Sequence, residues 1–158
     1  MFEIEFTFKN QSDFAFIRSC VNELVEVTLS PNHVLMQIAL NEAVNNAITY
    51  SRQKRKGAPV TLKLRNDGKK LVIRIKDRGK GFAANERLKE LTEGSACLGE
   101  GELWKDCGRG LFIMQSVSDV VKYNREGNEV ILVKRLPCEK SRLAAREVAH
   151  SKERSSIS

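Results

Sequence analysis

One helix constrains this chain more than any other feature of its sequence. In the run SPNHVLMQIALNEAVNNAITYS, from Ser30 to about Ser51, the serine can cap free helix amides and Pro31 suits a first turn that needs no donor there. At about 100° per residue, Met36, Leu40, Ala43, Val44 and Ala47 make a wholly apolar stripe. Leu35, Ile38, Ala39, Glu42, Asn46 and Thr49 make a second one. Both faces read as buried. The first should be core, whereas the second sets a carboxylate and a carboxamide, one helical turn apart, among apolar neighbours.

The other periodicities predict what this helix packs against. Phe2, Ile4, Phe6 and Phe8 alternate with Glu3, Glu5, Thr7 and Lys9, as in a half-buried strand. Ser12 and Asp13 read as caps, after which Phe14, Ile17, Val21, Leu24 and Val25 define the apolar face of a helix to about Leu29, with Arg18 turned away from it. The basic run RQKRK, closed by Gly57, reads as a helix end and an exposed loop. Val60, Leu62 and Leu64, then Leu71, Ile73 and Ile75, mark two strands joined by a hairpin turn at Asn66, Asp67 and Gly68. From Asp77 to Gly110 the chain is rich in glycine and weakly periodic, apart from a short helix around Asn85 to Leu91. Leu111, Ile113, Met114 and Val117 predict a last helix, and DVVKY and VILVKRL a final hairpin across REGN. The order predicts an α+β domain, a two-layer α/β sandwich with helices on one face of a mixed, mostly antiparallel sheet, over residues 1–137. Residues 138–158, polar and rich in serine and charge, read as a partly ordered tail.

Composition narrows the functional classes. A chain of 158 residues can bury a core without disulfide or metal support, and Cys20, Cys97, Cys107 and Cys138 show no CxxC pairing, nor do His33 and His150 complete a ligand set. With no apolar run near the roughly 20 residues that cross a bilayer, and no continuous apolar stretch at the amino terminus, a soluble cytoplasmic protein is expected. A net charge of +7 favours an anionic partner. Nucleic acid is disfavoured, since RQKRK is a short loop and the phenylalanines are scattered over apolar faces.

Three clusters carry chemistry. Glu42 can take a proton from a hydroxyl or water, and the amide oxygen of Asn46 is a hard ligand that suits magnesium. Asp77-Arg78-Gly79-Lys80-Gly81-Phe82 follows a strand; its carboxylate can accept from an exocyclic amine such as that of adenine, and Gly79 and Gly81 let backbone approach a ligand. Gly108-Arg109-Gly110-Leu111 opens a helix, where free amides and a guanidinium suit a phosphate chain. Taken singly, each also fits a structural role: a hydrogen-bonded helix face, a glycine turn, a glycine-rich helix entry.

In this order the clusters resemble the GHKL ATPase superfamily, with ExxxN as its N box, DRGKGF as its first glycine box, GRGL as its second, and the ATP lid between the glycine boxes. The stretch from about Ile4 to Leu136, and GRGLFIMQSVSDVV with GNEVILVKRL above all, is similar to the anti-sigma-factor serine/threonine kinases of bacterial partner-switching systems. Glu42 differs from the asparagine usual in histidine kinases, and Asn128 stands where a hydroxyl residue is expected after the glycine of GNEV. The lid, with Cys97, Trp104 and Cys107, follows no recognisable pattern.

The resemblance implies a kinase that uses ATP and Mg2+ to phosphorylate a small anti-sigma-factor antagonist and otherwise holds a sigma factor, as a homodimer. It implies that Asn46 ligates magnesium, that Glu42 orients or deprotonates the attacking hydroxyl, and that Asp77 reads adenine. Gly79 and Gly81 would line the nucleotide, Gly108, Arg109 and Gly110 would hold its phosphates, and Arg18 would face protein partners. The alternative is a nucleotide-binding regulatory module of the same fold that binds its partner without phosphorylating it.

Overall fold

The computed structural model describes residues 1–54, 57–93 and 109–137, leaving aside the side chains of residues 52–54. Gly108, the segment with Cys97, Trp104 and Cys107, the end of RQKRK and the tail from residue 138 lie outside the described residues. The elements run β1 (Phe2–Phe8), α1 (Gln11–Leu29), α2 (Val34–Lys54), β2 (Val60–Asn66), β3 (Lys70–Lys76), α3 (Ala84–Thr92), α4 (Arg109–Val117), β4 (Val120–Tyr123) and β5 (Glu129–Arg135). The strands form one sheet in the order β1-β2-β3-β5-β4. Each of its four pairings is antiparallel, so no parallel pair of the expected mixed sheet occurs among the described residues.

Register makes the sheet's inner face apolar. Ile4, Leu64, Ile73, Leu132 and Val121 line up in one cross-strand row, and Phe6, Leu62, Ile75, Val130 and Tyr123 in the next. Because side chains alternate faces, a shift of one residue would turn these rows to solvent, and that penalty fixes the pairing. Phe14, Val21, Val25 and Leu29 of α1, Met36, Leu40, Val44 and Ile48 of α2, and Leu111 and Met114 of α4 pack on these rows in one core. The α+β class and two-layer arrangement are therefore as predicted. Charged side chains occupy the other face, where Lys63 lies 2.8 Å from Glu3 and Arg74 lies 3.3 Å from Glu129.

Local chemistry revises several boundaries. Asn10, rather than Ser12 or Asp13, caps α1: its side chain accepts from the Asp13 N–H at 2.9 Å, while Asp13 reaches back to the Lys9 N–H at 2.9 Å. Ser30 and Pro31 do not open α2. Ser30 donates to Glu26 O and Asn32 to Leu29 O, which closes a turn at the end of α1 and delays the next helix to Val34. The second face of α2 is only partly buried, with Leu35 61% and Ile38 42% exposed while Ala39 is enclosed. This is the physical limit of the periodicity argument, since nothing among the described residues covers the first turn of α2. Arg18 is exposed as expected, but its guanidinium carbon lies 5.3 Å from the Phe14 ring centre, so the residue also shields the core by a cation–π contact. No helix among the described residues is long and apolar enough to cross a membrane.

The reassigned cap is testable. Asn10→Ala should lower unfolding free energy by about 1 kcal/mol, and Ser12→Ala by less than about 0.5 kcal/mol, in urea denaturation. The reverse ranking would restore Ser12 as the cap.

Candidate functional site

α2 carries Glu42 and Asn46 on its flank beside α4, and α4 begins directly over them. A β-carbon placed on Gly110 would lie 3.3 Å from both Asn46 Nδ2 and Glu42 Oε2, so glycine at this position lets the helix start come down onto the pair. Arg109, one residue earlier, holds a guanidinium nitrogen 3.9 Å from Glu42 Oε1. Arg109 is 74% exposed and Glu42 25%, so their attraction is screened and the arginine is free to turn toward an anion. The N-terminal end of α4, where first-turn amides have no partner within the helix, also lies at this place.

Asp77 stands at the other end of the site, in the turn after β3. Its side chain is 6% exposed, and burial raises its pKa from 3.8 to about 6, against the opposing pull of a 2.5 Å hydrogen bond from the Gly79 N–H. The turn itself is fixed by contact. A β-carbon on Gly79 would sit 2.6 Å from the Tyr50 carbonyl oxygen, inside van der Waals contact. Gly81 has φ +70° and passes so near the Glu126 carbonyl that no side chain fits.

These parts meet in a cleft lined by Asn46, Ala47 and Tyr50 of α2, by Asp77 and Phe82, and by Tyr123, Asn128 and Val130. The structure thus brings Asn46 and Asp77 to one cavity and sets Glu42, Arg109 and Gly110 beside Asn46. It does not bring Gly81 to the wall, because Gly81 lies under Glu126, and Gly108 is outside the described residues. The aromatic side chains were not foreseen. Phe82 stacks on Tyr50 at 5.0 Å and meets Tyr123 edge-on at 5.4 Å. Tyr50 could have been found, since it follows Asn46 by one turn on the same stripe. Tyr123 could not, because only the sheet register carries β4 to this end. The cleft has about 10 Å3 of free volume, room for roughly one water.

The donor set suits a magnesium nucleotide. A buried carboxylate with an acceptor oxygen to spare, a turn whose glycine leaves no space for a β-carbon, a carboxamide and carboxylate together, and a mobile guanidinium at a helix start match base, metal and phosphates in turn. Residues 13–134 match the family model of the histidine kinase-like ATPase domain. The chain belongs to that family. It is also 30% identical over 101 residues to the serine-protein kinase RsbW of Listeria innocua serovar 6a, and equally to that of Listeria monocytogenes serovar 1/2a, each alignment covering 63% of this chain and 63% of the relative. The chain therefore spans less than two thirds of the length of these curated relatives.

The raised pKa fixes a pH dependence. Between 3.8 and about 6 the unfolded chain has released the proton that folded Asp77 still holds, so the contribution of this group to stability falls as pH rises through that window. Thermal unfolding between pH 4 and pH 7 should show this slope in the wild type and a flatter one in Asp77→Asn. Identical slopes would mean that Asp77 ionises as freely in the folded protein as in the unfolded chain.

Proposed function

We propose that the protein is an ATP-dependent serine/threonine protein kinase that acts as an anti-sigma factor in a bacterial partner-switching system. Its ATPase domain is residues 1–137, followed by a polar tail, and it works in the cytoplasm as a homodimer. Its substrate is a small antagonist protein. Family membership supports nucleotide use, and the resemblance to the two RsbW serine-protein kinases supports phosphoryl transfer to serine. The observation that carries the reading is the convergence of Asn46 and Asp77 on one cleft, with Gly110 seated against Glu42 and Asn46.

In this reading Asp77 accepts from the exocyclic amine of adenine, Gly79 and Gly81 shape the turn along the base, and Gly108, Arg109 and Gly110 hold the phosphates. Asn46 supplies an oxygen ligand to Mg2+, which when bound neutralises phosphate charge. Glu42, half withdrawn from solvent, accepts the proton of the attacking serine hydroxyl. The serine oxygen forms a bond to the γ-phosphorus, the bond to the bridging oxygen breaks, and ADP leaves with that electron pair. Such transfer depends on positioning and charge neutralisation more than on covalent chemistry, which suits a site this small. Arg109 leaves Glu42 for the phosphates as nucleotide arrives, so the base is released when it is needed. Arg18, exposed on α1, is a candidate contact for the sigma factor or antagonist.

Two variants test the assignment. Asn46→Ala should abolish the magnesium dependence of ATP binding measured by calorimetry. Glu42→Gln should keep that binding but slow phosphate transfer to the antagonist by about 10²- to 10⁴-fold, the range for a lost general base. A wild type that binds ATP and its partner yet transfers no phosphate would make the protein a nucleotide-dependent binding module instead, and no ATP binding at millimolar nucleotide would remove the reading altogether.

A further inference from the structure

Asn128 stands where a hydroxyl residue is expected after the glycine of GNEV, and its hydrogen bonds tie two loops of the cleft together. The Asn128 carboxamide nitrogen donates to the Gly79 carbonyl at 3.2 Å, and its oxygen accepts from Asn124 Nδ2 at 2.7 Å. Asn124 Oδ1 in turn accepts the backbone N–H groups of Asn128 at 3.0 Å and Glu129 at 3.2 Å. These partners fix the orientation of both amides without ambiguity. Gly79 O and the two backbone N–H groups each allow only one end of an amide to face them. The backbone adds a further tie, since the Asp77 N–H donates to Asn128 O at 2.9 Å.

We infer that Asn128 is a positioning residue for nucleotide recognition: its carboxamide locks the glycine turn after β3 to the loop between β4 and β5, and so fixes where Asp77 points its carboxylate. The lock acts through Gly79. This residue is held at its oxygen by Asn128, at its nitrogen by Asp77 Oδ1 and on its Cα side by the Tyr50 carbonyl. With the first contact removed, the peptide that follows Gly79 can turn about the Gly79 backbone torsions, and the preceding peptide, whose N–H orients Asp77, loses one of the anchors that hold it in place. Both ends of the Asn128 amide are engaged inside the protein, so although the residue lines the cleft, its carboxamide acts on the base through Asp77.

Base selection is the readout that distinguishes this role from simple support of the loop. A fixed carboxylate accepts from the amine of adenine and repels the carbonyl that guanine carries in its place, whereas a carboxylate free to swing aside loses the first effect and relaxes the second. The inference rests on the reading of Asp77 as the adenine acceptor. Calorimetric titration of the full-length protein with ATP and with GTP tests it. Asn128→Ala should weaken ATP by about tenfold, the loss of roughly one hydrogen bond, and change GTP by less than about twofold. Asn128→Asp, which keeps the shape and the acceptor but cannot donate to Gly79 O, should give the same loss of ATP preference even if the alanine variant folds poorly. Asn85→Ala, which removes contacts from α3 to the Tyr123 and Asn124 carbonyls of the same hairpin, should leave the ATP to GTP ratio at its wild-type value. An unchanged ratio in folded Asn128→Asp, or an equal fall in Asn85→Ala, would overturn the inference and leave Asn128 as loop support. A wild type that binds neither nucleotide would overturn it together with the functional reading beneath it.

Discussion

The site depends on one helix being packed from two sides. Met36, Leu40, Ala43 and Val44 of α2 are essentially inaccessible against the sheet, and a rigid apolar seat of this kind allows the flank beside α4 to hold side chains to a defined geometry. α4 closes on that flank at Gly110, within contact distance of Glu42 and Asn46. A larger residue at Gly110 would lift α4 from α2 and take Arg109 with it. The placement of Glu42, Asn46 and Arg109 is therefore a consequence of helix packing.

The second constraint is the mutual fit of two loops distant in sequence. Gly81 lies under the Glu126 carbonyl while Gly127, with φ +73°, lies under that of Phe82, and neither position leaves room for a β-carbon. The turn after β3 and the hairpin loop before β5 thus hold each other in place, with Asn128 at the end of that loop, and β5 presents Val130 to the cleft because it pairs with β3 in the middle of the sheet. β4, hydrogen-bonded through β5 at the edge, brings Tyr123 to the same end. The cleft built on this interlock is tight, and the Tyr50, Phe82 and Tyr123 rings pack against one another in its walls.

Much of this was legible in the sequence, and the parts that were not share a cause. Strand alternation and helix spacing gave the elements because inward and outward residues differ in kind, as FEIEFTF and Met36 through Ala47 illustrate. The clusters at Glu42, Asp77 and Gly110 stood out in the sequence by their order along the chain, since each taken singly also fits a structural role. Asn10 was overlooked as a cap because Ser12 and Asp13 are equally good caps locally, and only the chain path from β1 decides among them. Leu35 and Ile38 were read as buried because periodicity reports which residues share a face, not whether a neighbour covers it. Tyr123 and the Asn124–Asn128 network depend on register and on a loop fold, which no single-segment pattern encodes.

The two ends of the site differ in the way their charges are held. Asp77 is buried against apolar and backbone groups, so its carboxylate is costly to ionise and is steadied by Gly79 alone among its hydrogen bonds. Glu42 and Arg109 meet near solvent, where a separation of 3.9 Å and wide exposure leave little net attraction to resist an incoming anion. A rigid acceptor selects a base by geometry, whereas a loose ion pair can exchange partners when phosphates arrive. Burial thus holds one end of the site, and exposure leaves the charges at the other end screened by water.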